Sequence, residues 1–383
     1  MSKSNQLAKL DQSGKPYIIY KSQTGFDLYT NFSKKIVLNN KNIQSFLKKK
    51  NKKKMKNTDL YIGFFGYELL NNLIDIKLPR QKDFNFPKGI FYKPEKKIKL
   101  SNNLSHFKRN FESGSFKINI NKKSYTKIFN RFKKKIKSGE TYQIKICTKY
   151  KTKSKIDPLD FFSRLSKTNL APEAFMIKDR NYSIVSCSPE NLITKKGSEI
   201  STKPIAGTVK KTKNLNKSKA LNYFRKNLKE TKEHNMIVDM ERNDLSRICK
   251  IGTVRLSKQK IVEEYKDLFH YVSLIKGKLR KNINNVDIIK AMMPGGSVIG
   301  CPKINTLNLL NNQEKENRNI YTGSFGYIKF NGDMRFNIII RSILNFKNMS
   351  EISVASGVVV DSNANHEFNE NFLKAKALID LFK

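Results

Sequence analysis

Residues 124–150, SYTKIFNRFKKKIKSGETYQIKICTKY, decide the fold class of this chain. In the first half, Tyr125, Ile128, Phe129, Phe132 and Ile136 recur at helical spacing on one face. Ser124 is placed to cap that helix and Gly139 to end it. The second half, residues 141–150, changes period: Gln143, Lys145, Cys147 and Lys149 alternate with Tyr142, Ile144, Ile146 and Thr148, which predicts a strand. Moving outward, strands are expected at 183–185, 320–330, 336–340 and 352–360, and helices at 217–240, at 286–292 and from 367 to the C-terminus. Strands and helices mix without a regular β-α alternation, the pattern of an α+β layered architecture. On the N-terminal side, short apolar runs separated by polar turns fill residues 17–91, with Phe64-Phe65-Gly66-Tyr67-Glu68-Leu69-Leu70 as their most apolar piece. Residues 94–119 are polar and weakly patterned. They are read as the join between an N-terminal portion, 1–119, and a larger region, 120–383.

Composition narrows the function classes. The 383 residues carry 76 Lys+Arg against 32 Asp+Glu, a formal net charge of +44. With 38% hydrophobic residues, 25 Phe and 15 Tyr, the chain has material for a sizeable core, so a disordered chain is not expected. No apolar run approaches the roughly 18 residues of a membrane span. The first nine residues lack an apolar leader region, so a cytoplasmic protein without a membrane partner is expected. Cys147, Cys187, Cys249 and Cys301 are far apart with no C-x-x-C pair, which fits a reducing compartment and neither a zinc site nor a disulfide framework. Lysines are spread everywhere, and the densest run, Lys48 to Lys56, has no interleaved aromatics. It reads as a solvated loop, and no nucleic-acid partner is expected. The positive field would instead attract small anions or acidic proteins.

Four constellations have chemical potential. Residues 295–303, GGSVIGCPK, contain glycines and a lysine, but Cys301 and Pro302 separate Gly300 from Lys303, so a P-loop is excluded and a tight turn is left. Glu230 and Glu233 stand i, i+3 on one helical face. Glu367, Glu370 and Lys374 share a face of the last helix. Surface ion pairing would explain either set, whereas carboxylates facing each other from two helices would suit Mg²⁺. Arg341 ends the apolar run Ile338-Ile339-Ile340, where it would pair with a structural acid or hold a ligand carboxylate in bidentate fashion. His270, between Phe269 and Tyr271, reads on its own as a packed core histidine.

In order along the chain, a set of short motifs resembles the chorismate-binding enzymes: component I of anthranilate synthase and of aminodeoxychorismate synthase, and the isochorismate and salicylate synthases. The pieces are Gly139-Glu140-Thr141-Tyr142-Gln143, Ser188-Pro189-Glu190, Pro204-Ile205-Ala206-Gly207-Thr208, Glu233-His234-Asn235-Met236 with Arg242-Asn243-Asp244, and Pro294-Gly295-Gly296-Ser297 through Lys303. Tyr321-Thr322-Gly323, Ile340-Arg341-Ser342, Gly357-Val358-Val359-Val360-Asp361-Ser362 and Glu367 to Lys374 complete the set. The resemblance implies a two-lobed α/β sandwich with its active site in a cleft between the sheets. It implies Mg²⁺ held by Glu233 and Glu370, with Glu367 completing the acidic lining and Glu230 as general acid/base. Thr208 and His270 would face the substrate ring, while Tyr321, Arg341, Gly357 and Lys374 would hold the carboxylates of chorismate.

Within that family the markers point two ways. Isochorismate and salicylate synthases resemble one another in carrying a lysine that activates water; this chain has Gln143 there, which favours ammonia as the nucleophile. Ala206 resembles anthranilate synthases, because aminodeoxychorismate synthases commonly have a nucleophilic lysine at that place. With alanine, ammonia is expected to add directly at C2 as the C4 hydroxyl leaves. Gly295-Gly296, Asn337 and residues 63–68, GFFGYE, resemble aminodeoxychorismate synthase instead. No Leu-Leu-Glu-Ser segment of the kind that binds feedback tryptophan is found, and Glu173 follows Ala171-Pro172 where such a site often has an aromatic. The expectation is aminodeoxychorismate synthase component I, with anthranilate synthase component I as the alternative. Another class, a basic nucleic-acid binder on an inactive synthase scaffold, would have no physical reason to keep Glu233, Glu370, Arg341 and Lys374. No amidotransferase Cys-His-Glu signature is present, so a separate glutamine amidotransferase subunit is the implied source of ammonia.

Overall fold

A computed structural model describes residues 3–48, 55–76, 86–101, 104, 112–265 and 268–382. Most of the lysine run at 48–56 lies outside the described residues. Every β-ladder among the described residues is antiparallel, and together they form one long, curled mixed α/β sheet system. At one end, Gln143–Lys155 pairs with Met349–Val358, which continues through Ser342–Phe346, Tyr182–Ser188 and Glu173–Lys178 to Tyr17–Lys21. The N-terminal strand Phe26–Val37 then joins Gly89–Leu100 and Leu60–Phe65, and the path runs on through Ser324–Lys329, Met334–Asn337, Asn191–Lys196 and Glu199–Lys203. It finishes at Leu268–Lys278, flanked by Ile205–Lys210 and Arg255–Glu264. Residues 94–100, expected to be part of a join, continue the strand opposite Phe26–Val37, with a register shift between Phe32 and Lys34.

Where the path curls back, its two halves are sealed by an aromatic core. Tyr20, Tyr29, Phe64, Tyr92, Phe175, Phe325 and Leu344 share one buried cluster, and the Phe175 and Phe325 rings stack at 3.7 Å. A second cluster packs Pro158–Asn169 and Ala364–Ile379 against the outer face of the first half. A third packs the amphipathic helix Lys122–Lys137 under the strand Gln143–Lys155 through Tyr125, Phe129, Phe132 and Ile136.

Residues 124–150 form a helix followed by a strand, with one local difference. The cap is Asn121, whose side chain accepts a hydrogen bond from the Ser124 backbone N–H at 2.9 Å, so the helix begins earlier than Ser124. Gly139 does end it, at φ +77°. The single helix expected over 217–240 is two, Lys217–Lys226 and Leu228–Ser246. Asn227 breaks them: it takes an extended backbone and its side chain accepts from the Glu230 N–H. The expected strand at 320–330 is Ser324–Lys329, preceded by a turn that passes through Thr322 at φ +58°.

The stacked phenylalanines give a direct test of the sealed core. Phe325→Ala should lower unfolding free energy by about 3–5 kcal/mol, the usual cost of emptying a buried aromatic site. Phe372→Ala, on the exposed face of the last helix at 47% relative exposure, should stay within about 0.5 kcal/mol. Denaturant unfolding of both variants checks the contrast.

Candidate active site

Gln143, Lys145 and Gly357 come from one end of the ladder and Thr208 and His270 from the other, and the helix Leu228–Ser246 links the two: it packs on the strands of Thr208 and His270 and brings Glu233 to Gln143 and Lys145. Gln143 and Lys145 point the same way from one strand, as alternation requires, and Lys145 lies opposite Gly357 in register. A β-carbon at Gly357 would stand 2.7 Å from Lys145 Nζ and 2.8 Å from Gln143 Nε2, so glycine is what leaves room for both side chains. Across from them, Glu233 Oε1 accepts from Gln143 Nε2 at 2.8 Å and from Lys145 Nζ at 3.0 Å. Burial works against the Glu233 charge, but the ammonium of Lys145 and the Gln143 amide outweigh it and hold the carboxyl down to about 2.

Glu233 is aimed by the helix Leu228–Ser246. The next residue, His234, is buried and shares a 2.6 Å hydrogen bond with Ser273 Oγ while packing on Tyr271, which fixes the helix rotation. Burial pulls His234 down to about 4, so the ring is neutral near pH 7. Gly296 is the close approach on the same helix: a β-carbon there would run into the Met240 thioether. The glycine turn ends at Lys303, whose ammonium is buried against Asp244 at 2.5 Å and donates to the Ala291 carbonyl. This lysine is structural, consistent with the failed P-loop pattern.

Glu367 and Glu370 come from Ala364–Ile379, capped by Asn363 through the Asn365 and His366 N–H groups. Their carboxylate oxygens and a ring nitrogen of His366 lie within 4.8 Å of one another, the one group of three metal-ligating side chains found among the described residues. Lys374 pairs with Glu370 at 2.6 Å and reaches the Ala355 carbonyl at 2.9 Å. Glu233 is not in the close group, yet its carboxylate feels Lys374, and Lys145 feels both Glu233 and Glu370. The two acidic helices therefore share one electrostatic neighbourhood. The carboxylate oxygens suit a hard cation such as Mg²⁺, which takes carboxylates and keeps its own waters, and the ammonium groups of Lys145 and Lys374 compete with it for them.

On the other wall, Thr208 and His270 are cross-strand partners joined at 2.8 Å between Oγ1 and Nδ1. Burial first, then the Arg341 charge, lower His270 to about 4. Glu230 lies beside Gly207, with its Oε2 3.3 Å from where a β-carbon would be. The strand expected over 336–340 is Met334–Asn337, and Arg341 stands beyond it, immediately before the strand Ser342–Phe346, at φ +50°, a left-handed backbone uncommon for arginine. It is in charge contact with His270 and with Glu190, whose carboxyl burial raises to about 7 against the pull of Ser297 and Lys145. Tyr321 packs with Cys147 and Ala355, the latter being the residue whose carbonyl holds Lys374. Ala206 belongs to the strand Ile205–Lys210 that carries Thr208.

Three features went unassigned in the sequence. Lys145 was visible in the strand alternation but indistinguishable from the chain's many solvent lysines. Glu190 was visible only as part of a motif. Arg318, fully buried, pairs with Glu314 at 2.6 Å, lies 4.8 Å over the Tyr67 ring, and donates to the Lys145 carbonyl at 3.1 Å and to Thr322 at 3.2 Å. Glu68 accepts from the Arg318 backbone N–H, so residues 66–68 brace the strand that carries Lys145.

This geometry has relatives. The model of the family described as chorismate binding enzyme matches residues 8–380. The chain belongs to the chorismate binding enzyme family. It is similar to aminodeoxychorismate synthase component 1 of Bacillus subtilis, 35% identical over 267 residues, which cover 70% of this chain and 57% of that one. It is also similar to anthranilate synthase component 1 of Arthrobacter globiformis, 36% identical over 263 residues that cover 67% of this chain and 50% of that one. Its matches thus span only part of these curated relatives. The crystal structure of anthranilate synthase component I from Streptococcus pneumoniae superposes with a TM-score of 0.77 at 24% identity, covering 95% of this chain and 92% of that one. The menaquinone-specific isochorismate synthase of Escherichia coli does so with 0.79 at 15% identity, covering 100% and 92%. The fold is that of the family. No helix among the described residues is long and apolar enough to cross a membrane.

A carboxyl outside the cleft offers a pH test of how the family's helix Leu228–Ser246 is held. Glu241 is buried and accepts from Thr202 Oγ1 at 2.7 Å; burial, reinforced by Asp244, raises it to about 8. A carboxyl that keeps its proton more tightly folded than unfolded costs stability as pH climbs from its ordinary 4.5 to about 8. Glu241→Gln removes that titration. Its melting temperature relative to the unmodified chain should therefore rise steadily between pH 5 and pH 8 on the order of the ordinary-to-raised window. A difference that is flat with pH would show that Glu241 is already ionised in the fold.

Proposed function

We propose that this protein is a chorismate-aminating synthase of the component I type, forming 4-amino-4-deoxychorismate from chorismate and ammonia. The supporting observation is the convergence on one cleft of Gln143, Lys145 and Glu233 with Glu370, Lys374 and Arg341. Chorismate is a dianion, and entering such a cleft strips its water, so fixed cations must replace that hydration. Arg341 and Lys374 would take its carboxylates, with Tyr321 and the open backbone at Gly357 shaping the pocket. Glu233 and Glu370 would hold Mg²⁺, with Glu367 beside them; when bound, the ion supplies Lewis-acid and templating power at the ring carboxylate. Thr208 and the neutral His270 would face the ring, each orienting the other through their shared hydrogen bond.

The net reaction breaks the C4–O bond, forms a C–N bond and releases water. Glu230 is the group proposed to give the departing hydroxyl its proton and to recover one from the incoming ammonium. Gln143 supports ammonia over water as nucleophile: its amide is spent on Glu233 and has no basic lone pair with which to activate water. Without a lysine at Ala206, ammonia itself would add at C2 as the C4–O bond breaks. A second ammonia would then add at C4 as the C2–N bond breaks, which places nitrogen in the 4-amino product. If the first adduct instead lost its enolpyruvyl group, the products would be anthranilate and pyruvate. That second reading is favoured by Ala206 and by the similarity to the Arthrobacter relative. The ammonia would come from a glutamine amidotransferase subunit docked on this chain.

Incubation of the purified chain with chorismate, Mg²⁺ and an ammonium salt at alkaline pH, followed by chromatography, tests the proposal. The 4-amino product should form, and glutamine should not replace ammonium. Anthranilate with stoichiometric pyruvate would move the assignment to the second reading. Glutamine-dependent product from the isolated chain would overturn the separate amidotransferase.

A further inference from the structure

Glu233 Oε1 carries two donors at once, Gln143 Nε2 and Lys145 Nζ. Both partners of the ion pair are mostly covered, with Lys145 15% and Glu233 23% exposed at the side chain. The lysine is fixed at its root, because its carbonyl accepts from the buried Arg318 guanidinium. Its tip lies over Gly357, where a β-carbon would stand 2.7 Å from Nζ, so the missing side chain is what gives the ammonium its place. Both donors use Oε1, which leaves Oε2 for a divalent cation, but an ion there would share one carboxylate with the ammonium, and two cations so close in a mostly covered site repel strongly. We infer that Lys145 is the resident counter-ion of this site: it holds Glu233 while no metal is bound and is displaced when a divalent cation takes that carboxylate.

This inference rests on the proposed metal role of Glu233. It adds a residue to which no role in the family reading was attached, and it explains how a charged metal carboxylate is kept from being buried alone. Breaking a buried pair from one side leaves an uncompensated charge; exchanging one cation for another does not. The exchange also makes the order of binding matter, since the ammonium is released only where the metal has arrived.

The test reads metal binding with no chorismate and no turnover, so it is independent of which product the enzyme makes. Mn²⁺ serves as the probe, with free ion counted by electron paramagnetic resonance and Mg²⁺ added as competitor. Lys145→Met removes the resident charge and should tighten Mn²⁺ binding by about ten-fold or more, including the case in which the unmodified chain binds too weakly to measure. Lys145→Arg keeps the charge and should not tighten it. Should Lys145→Met fail to fold, Lys145→Gln, which can still bond to Glu233 without charge, is read by the same criterion. Unchanged or weaker Mn²⁺ binding in the neutral variants, or no measurable binding in any of them, would overturn the inference.

Discussion

Carboxylates held in a cleft between packed layers must be matched by cations, and that constraint organises this protein more than any single packing contact. A half-buried carboxylate such as Glu233 is tolerable only because Lys145 and Gln143 face it. Lys145 in turn is placed by a strand whose carbonyl is bonded to Arg318, and Arg318 is neutralised by Glu314 and stacked on Tyr67. The chain of compensation thus runs from the N-terminal residues 66–68 to the helix that carries Glu233. The long curled sheet supplies the geometry: its two ends, far apart along the ladder, are joined through the helix Leu228–Ser246, which packs on one and brings Glu233 to the other.

The opposite wall follows the same logic with weaker charges. Arg341, in an uncommon left-handed backbone, sits between His270 and Glu190. The histidine is driven neutral and the glutamate is lifted to about 7, so this wall offers one guanidinium whose pKa burial lowers, one neutral ring and one carboxyl that titrates near 7. Glu233 and Glu370 are instead paired with Lys145 and Lys374.

Much of this was legible in the sequence where local rules operate. The helix and strand of residues 124–150 followed from period and end signals, and the i, i+3 carboxylates of both helices were found on the faces their spacing requires. Local rules also set the limits. Asn121 and Ser124 are both good caps, and only the folded backbone decides between them. Asn227 breaks a helix that propensity alone would run through. Thr208 and His270 meet only because their strands pair, which no pattern 62 residues apart reveals. Lys145 was hidden by composition: in a chain with 76 Lys+Arg, one more lysine on a strand carries no signal until its partner is known.

The central claim is that the cleft is one site for a divalent cation and a dianion together. Calorimetric titration of chorismate into the protein, with and without Mg²⁺, and into Glu370→Gln tests it most directly. Binding should be single-site and strengthened by Mg²⁺, with the strengthening lost in Glu370→Gln while the variant melts like the unmodified chain. Chorismate binding that is indifferent to Mg²⁺, or equal in Glu370→Gln at every Mg²⁺ concentration, would contradict it.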